Sequence, residues 1–285
     1  MAADAMRLGT IFEIRVALDQ ARRRGATVGL VPTMGALHEG HLSLIRVARA
    51  QNDVVVVSIF LNPTQFGSGE DFNRYPRDLE RDRDLAAAAG ADLVFNPTVD
   101  EMYPDAFSTW VEVEGLTTGL CGTSRPGHFR GVCTVVTKLL NVCAPDRAYF
   151  GEKDAQQLAV VKRMVRDLDV RVDIVACSTV REPDGLALSS RNTRLTAQER
   201  VEAPVLYRAL VTAKELVRNG ERDAGALKES IRSVLAEAHR GQVDYVDIVR
   251  ADDLAPVAAV TGECLIALAV WFGGTRLIDN IMVQG

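Results

Sequence analysis

Seven consecutive residues, VVVVSIF at 54–60, leave water no polar face to contact. A strand of that kind is buried on both sides, the mark of a parallel sheet covered by helices. Further strand-like runs recur at 27–33 (TVGLVPT), 92–95 (DLVF), 147–150 (RAYF) and 170–180 (VRVDIVACSTV), and TWVEVEG predicts another strand at 109–115. Helical stretches fall between them. One opens on the capping box Thr10–Glu13 and stops near Gly25; another starts around Glu39 to Leu42; others cover 77–89, 130–143 and 154–167. Strands alternating with helices predict an α/β fold, a doubly wound, Rossmann-like parallel sheet.

Beyond about residue 185 the rhythm changes. A second capping box, Thr196–Glu199, predicts a helix to Asn219-Gly220, and another helix is expected over 223–239. Three strands follow at 243–249, 263–272 and 276–283, the last two joined by Gly273-Gly274. Helices followed by antiparallel strands read as a small α+β domain. The expected division is therefore 1–182 for the Rossmann-like domain and 183–285 for the α+β domain.

Composition excludes several classes. A net charge of −5 argues against a broad nucleic-acid surface, which needs a basic excess. No segment reaches the roughly 18 to 20 apolar residues of a membrane span, and the N-terminal stretch, with Glu13 and Asp19 before ARRRG, suits neither a secretory signal nor a transit peptide. The five cysteines lack metal-ligand spacing and read as buried free thiols of a reducing compartment. A cytoplasmic protein without nucleic-acid or membrane partners is expected.

The stretch MGALHEGHLSLI (34–45) holds two of the four histidines, His38 and His41, three positions apart. It follows the strand TVGLVPT and begins a helix, so it belongs at a carboxyl end of the sheet, where ligands bind. A helix start there offers unpaired N–H groups and a favourable dipole to phosphate. Two imidazoles add donors, Gly35 and Gly40 permit close approach, and Pro32 stiffens the entry. Metal ligation is the first rival, although zinc proteases space their histidines four apart and no cysteine cluster assists. Capping or surface histidines are the plainer alternative. Other phosphate signatures are missing: there is no GxxxxGK[ST], and Gly67-Ser68-Gly69 lacks the third glycine of a dinucleotide loop and reads as a plain loop.

PTMGALHEGHLSLI resembles the HxGH signature of the nucleotidyl-transferase superfamily. Together with NPTQF (62–66), RPGHFRGV (125–132), YFGEKDAQQL (149–158), LALSSRN (186–192) and TRLIDNI (275–281), it is similar to the pantoate–β-alanine ligase family over nearly the whole chain. The resemblance implies ATP and Mg²⁺, the ion riding on the phosphates, with pantoate and β-alanine as the other substrates and a homodimer as the assembly. His38, His41, Lys153 and Arg191 would be the catalytic set, with His41 as proton donor. ATP would contact Met34, Gly35, Ala36, Leu37, His38, Glu39, Gly40 and His41 on the first turn, and Gly151, Glu152, Lys153 and Asp154 after RAYF. Val180, Leu188, Ser189, Ser190 and Arg191 would complete its site. Pantoate and β-alanine would meet Asn62, Gln65, Gln157 and His128. Two departures from the family pattern are Leu188, where methionine is usual, and Ala155, where an aromatic is common.

The implied reaction passes through a pantoyl adenylate, and the small domain is expected to close over it as a lid. The nearest enzyme rival is a nucleotidyltransferase moving AMP onto a phosphate acceptor. A tRNA synthetase lacks an RNA-gripping surface here, and a non-catalytic nucleotide-binding module is the remaining alternative.

Overall fold

The computed structural model describes residues 5–67 and 71–285; Ser68 and Gly69, and with them most of the Gly67-Ser68-Gly69 loop, lie outside the described residues. The chain divides into two compact units. The first contains residues 1–114, 125–152 and 160–178; the second contains 115–124, 153–159 and 179–285. Two short segments that precede residue 179 in sequence, 115–124 and 153–159, belong with the second unit.

The first unit runs β1 (Met6–Leu8), α1 (Ile11–Arg23), β2 (Val28–Thr33), α2 (Glu39–Gln51), β3 (Val54–Ile59), α3 (Leu79–Ala89), β4 (Leu93–Phe95) and the short α4 (Val99–Met102). After the second unit's short α5 (Cys121–Ser124) come α6 (His128–Cys143), β5 (Arg147–Gly151), α7 (Ala155–Asp167), whose residues up to 159 count with the second unit, and β6 (Asp173–Cys177). The six strands form one sheet in the order β1-β4-β3-β2-β5-β6, with every pairing parallel. This is the doubly wound sheet that the apolar run at 54–60 requires: Val55, Val56 and Val57 have no exposed surface. One core layer joins Val31, Val55 and Val57 to Ile45 and Ala48 of α2 and Ala86 and Ala89 of α3. The Thr10–Glu13 capping box opens α1 as expected.

Two expectations for this unit fail. Residues 109–115 form no strand. Their alternation suggested one, but Val111 N–H donates to Thr134 Oγ1 on α6, 3.1 Å away, instead of to a neighbouring strand. Trp110 lies partly exposed, with the Arg130 guanidinium 4.7 Å from its ring centroid. The run 170–180 is strand only over Asp173–Cys177. Its start belongs to the turn ending α7, where Asp169 takes a φ of 50° and Val170 N–H bonds back to Val165.

In the second unit, α8 (Ala197–Glu202), α9 (Val205–Arg218) and α10 (Ala224–Leu235) precede the antiparallel sheet β7 (Gly241–Arg250), β8 (Glu263–Phe272) and β9 (Thr275–Gln284). The helix expected from Thr196 to Asn219 is broken at Ala203-Pro204. Proline has no N–H for the i−4 carbonyl, so the second piece starts afresh. Period-two alternation sorts β8 between two apolar layers. Ile266 and Leu268 join Leu206, Leu210, Leu227 and Ile231 of the helices, whereas Leu265 and Ala267 join Leu120 and Val249. Phe272 pairs with Thr275 across the Gly273-Gly274 turn, where Gly273 takes a φ of 55°.

Candidate functional site

The sheet order locates a switch point. From β2 the chain winds outward to β3 and β4; from β5 it winds the other way to β6. Between the carboxyl ends of β2 and β5 the connections diverge, leaving the crevice in which open α/β sheets bind ligands. Residues 34–38 leave β2 at this point, and Gly151-Glu152 leave β5.

The histidine spacing has a local cause. His38 is the N-cap of α2 and His41 its third residue. His38 Nδ1 accepts from Gly40 N–H at 3.2 Å, and His41 Nδ1 accepts from His38 N–H at 3.3 Å. This is a capping box made of two imidazoles, which requires positions three apart. The ring centroids are 4.1 Å apart with planes tilted by 39°. Because each Nδ1 is an acceptor, a neutral ring carries its proton on Nε2. The bare helix-start amides expected from the sequence are thus partly capped by the imidazoles.

Asp82, which the sequence reading passed over, shapes the loop. Gly35 and Ala36 take φ values of 85° and 52°, turning successive N–H groups inward. Asp82 Oδ2 accepts from Ala36 N–H and Oδ1 from Leu37 N–H, both at 2.7 Å. The carboxylate is 2% exposed. Burial pushes its pKa above the ordinary value, and the two backbone donors pull it back. A signal existed in the sequence: Asp82 shares the buried face of α3 with Ala86 and Ala89, where a carboxylate needs a partner. Ala36 and Leu37 have given their N–H groups to Asp82, so neither amide is left to donate to a ligand. Glu39, exposed, pairs with Arg46.

Gln65 ends the 3₁₀ turn Pro63–Gln65 that follows β3, and its Nε2 lies 3.0 Å from Met34 Sδ. The loop after β2 and the turn after β3 are thereby joined. His128 begins α6, buried, with Nδ1 2.9 Å from the Gln65 carbonyl oxygen and Nε2 3.0 Å from Arg125. Its ring therefore touches the backbone of Gln65. Asn62 is 1% exposed and engages Gln65, Thr64, Tyr103 and Gly131.

In the second unit, Lys153 and Asp154 lie in the 3₁₀ turn before α7. The Lys153 carbonyl accepts from Asn280 Nδ2 at 2.9 Å, which ties the turn to β9. Gln157 is half-buried. Its neighbour Gln156 is structural, donating to the Leu116 and Gly119 carbonyls and accepting from Cys121 N–H. Leu188 N–H donates to the Val180 carbonyl at 3.0 Å, and Arg181 bridges Ala187. These contacts hold Val180 beside Leu188 and Ser189, whose Oγ caps Arg191 N–H at 3.2 Å. Ser189, Ser190 and Arg191 are half-buried. Among the described residues no three His, Cys, Asp or Glu side chains are placed to hold a metal ion, and no helix is long and apolar enough to cross a membrane.

A histidine-capped loop at the switch point of an all-parallel sheet defines a nucleotide-binding domain of the HxGH nucleotidyl-transferase type. The family model of pantoate–β-alanine ligase matches residues 7–282, and the chain belongs to that family. The pantothenate synthetase of Moorella thermoacetica is 58% identical over 277 residues, covering 97% of this chain and 98% of the relative. The crystal structure of the Thermus thermophilus pantothenate synthetase superposes with a TM-score of 0.93 at 49% identity, covering 98% of this chain and 100% of that one. The Francisella tularensis pantoate–β-alanine ligase, solved in complex with beta-gamma ATP and β-alanine, gives a TM-score of 0.79 at 35% identity, covering 98% and 97%.

Proposed function

We propose that this chain condenses pantoate with β-alanine at the expense of ATP, giving pantothenate, AMP and pyrophosphate. The observation that carries the reading is the imidazole pair at the switch point, with both Nδ1 atoms tied to backbone N–H groups. In the first step a pantoate carboxylate oxygen attacks the α-phosphorus of ATP, and the bond to the β,γ-pyrophosphate breaks. In the second, the amine of β-alanine attacks the acyl carbon of the pantoyl adenylate, loses a proton and expels AMP.

An anion attacks a polyanion in the first step, so positioning and electrostatics dominate the barrier. His38 and His41 donate from Nε2 to phosphate oxygens, with His41 as proton donor. Lys153 supplies a point charge and Arg191 a two-pronged guanidinium, supported by the hydroxyls of Ser189 and Ser190. Met34 to His41, Gly151 to Asp154, Val180 and Leu188 line the nucleotide. Gln65 and Gln157 hold pantoate. His128 and Asn62 act on the pantoate side through Gln65. Mg²⁺ would ride on the triphosphate oxygens and would offset their negative charge there. The second unit closes as a lid that keeps water from the adenylate. The enzyme works as a cytoplasmic homodimer; its five free, buried thiols suit a reducing compartment.

The test is a mass-spectrometric assay with ATP, pantoate and β-alanine. AMP and an amide product in equal amounts are expected. ATP turnover that does not depend on pantoate would overturn the reading and favour transfer of AMP to another acceptor.

A further inference from the structure

We infer that Asn62 and Tyr103 are positioning residues that lock Gln65 as a hydrogen-bond donor only, so that it reads an acceptor oxygen of the acid substrate. The inference rests on the reading above that Gln65 faces pantoate.

The backbone contacts come first, because their donors and acceptors are unambiguous. Asn62 Oδ1 is 3.3 Å from Thr64 N–H, a group that can only donate. On its other side Asn62 Nδ2 is 3.2 Å from the Gly131 carbonyl, a group that can only accept. These two contacts fix the Asn62 amide in one orientation. The Tyr103 hydroxyl reinforces it, donating to Oδ1 at 2.8 Å, and Thr64 Oγ1 does the same at 2.9 Å. Burial keeps Tyr103 a neutral phenol by raising its pKa.

The remaining Nδ2 proton of Asn62 points at Gln65 Oε1, 3.0 Å away. A donor there obliges Gln65 to turn its oxygen inward and its Nε2 outward. Among the described residues Nε2 meets a thioether, Met34 Sδ at 3.0 Å, which is a weak acceptor. A rotated Gln65 would set Nε2 against Nδ2, donor against donor, inside a buried network. The backbone of Gln65 is held as well, because its carbonyl accepts from the His128–Arg125 pair. A Cβ at Gly131 would come within 2.7 Å of Gln65 Cα, so α6 packs directly on this turn. With Oε1 engaged by Asn62, the side chain turns its N–H groups, and not its oxygen, toward a ligand. A carboxylate or hydroxyl oxygen fits that; a ligand presenting only a donor does not.

The direct test follows the Gln65 side-chain ¹⁵N–¹H₂ resonances of the full chain during titration with pantoate. A shift of both Nε2 protons as pantoate saturates supports the inference. Saturation elsewhere with the Gln65 resonances unmoved would overturn it while leaving the ligase reading intact. Failure of pantoate to shift any resonance, with no turnover, would refute the ligase reading instead. Asn62→Asp supplies a kinetic check, since its acceptor-only side chain lets Gln65 rotate. The KM for pantoate should rise about tenfold or more with the KM for ATP little changed. Tyr103→Phe removes one of several constraints and should raise the pantoate KM by less than about threefold. Equal rises for ATP and pantoate in both variants would mark the network as merely structural.

Discussion

Asp82 Oδ1 lies 2.7 Å from Leu37 N, and its other oxygen lies as close to Ala36 N. One carboxylate on α3 thus holds the left-handed turn that delivers His38 to the start of α2. Asp82→Ala leaves two inward N–H groups unmet and should cost about 2 to 4 kcal/mol in urea unfolding. Asp82→Asn should fall between, because only one of its amide atoms accepts. The KM for ATP should rise in both, in the same order.

The imidazole capping box separates a structural from a chemical role. His38→Asn keeps an N-cap oxygen for Gly40 N–H, so stability should change by less than about 1 kcal/mol. It removes the Nε2 donor, and pantoate-dependent pyrophosphate exchange should slow by roughly 10²- to 10³-fold. Exchange at the parental rate would reduce His38 to a cap. His41→Ala and Lys153→Ala should slow the same exchange by a similar factor.

Arg181 and Asp279 make a two-pronged ion pair at 2.6 and 2.9 Å, and Arg181 also lies 3.9 Å from the Tyr207 ring centroid. The pair fastens the strap 180–188 to β9. Asp279→Ala should destabilise the protein by about 3 to 5 kcal/mol, the usual cost of orphaning a buried charge. Chemical denaturation measures it.

Burial pushes Cys133 and Cys143 up to about 12 and Cys177 to about 11, from 9.0. The native state therefore keeps these protons where the unfolded chain releases them, and stability falls as pH rises from about 9 toward 12. Urea midpoints should decline across that window, and Cys143→Ala should flatten the decline. At pH 8 the folded protein should resist alkylation of all three thiols until denatured.

The architecture was largely legible because burial writes itself into hydrophobic periodicity. VVVVSIF demanded a two-sided sheet, and Thr10 and Thr196 announced their helices. Position 109–115 misled because alternation reports a face and not a partner; its N–H had gone to Thr134. Pro204 was visible, but its break was missed because the apolar period continues beyond it. At the candidate site the motifs were legible as residue types. Asp82 and Tyr103 were not, since they act through contacts 45 and 41 positions away in sequence. Local pattern carries no record of such pairs.

A crystal structure of the chain with a non-hydrolysable ATP analogue tests the central claim most directly. Nε2 of His38 and His41, Nζ of Lys153 and the Arg191 guanidinium should lie within about 3 Å of triphosphate oxygens. A nucleotide bound away from the β2–β5 switch point, with Lys153 and Arg191 turned from it, would contradict the account.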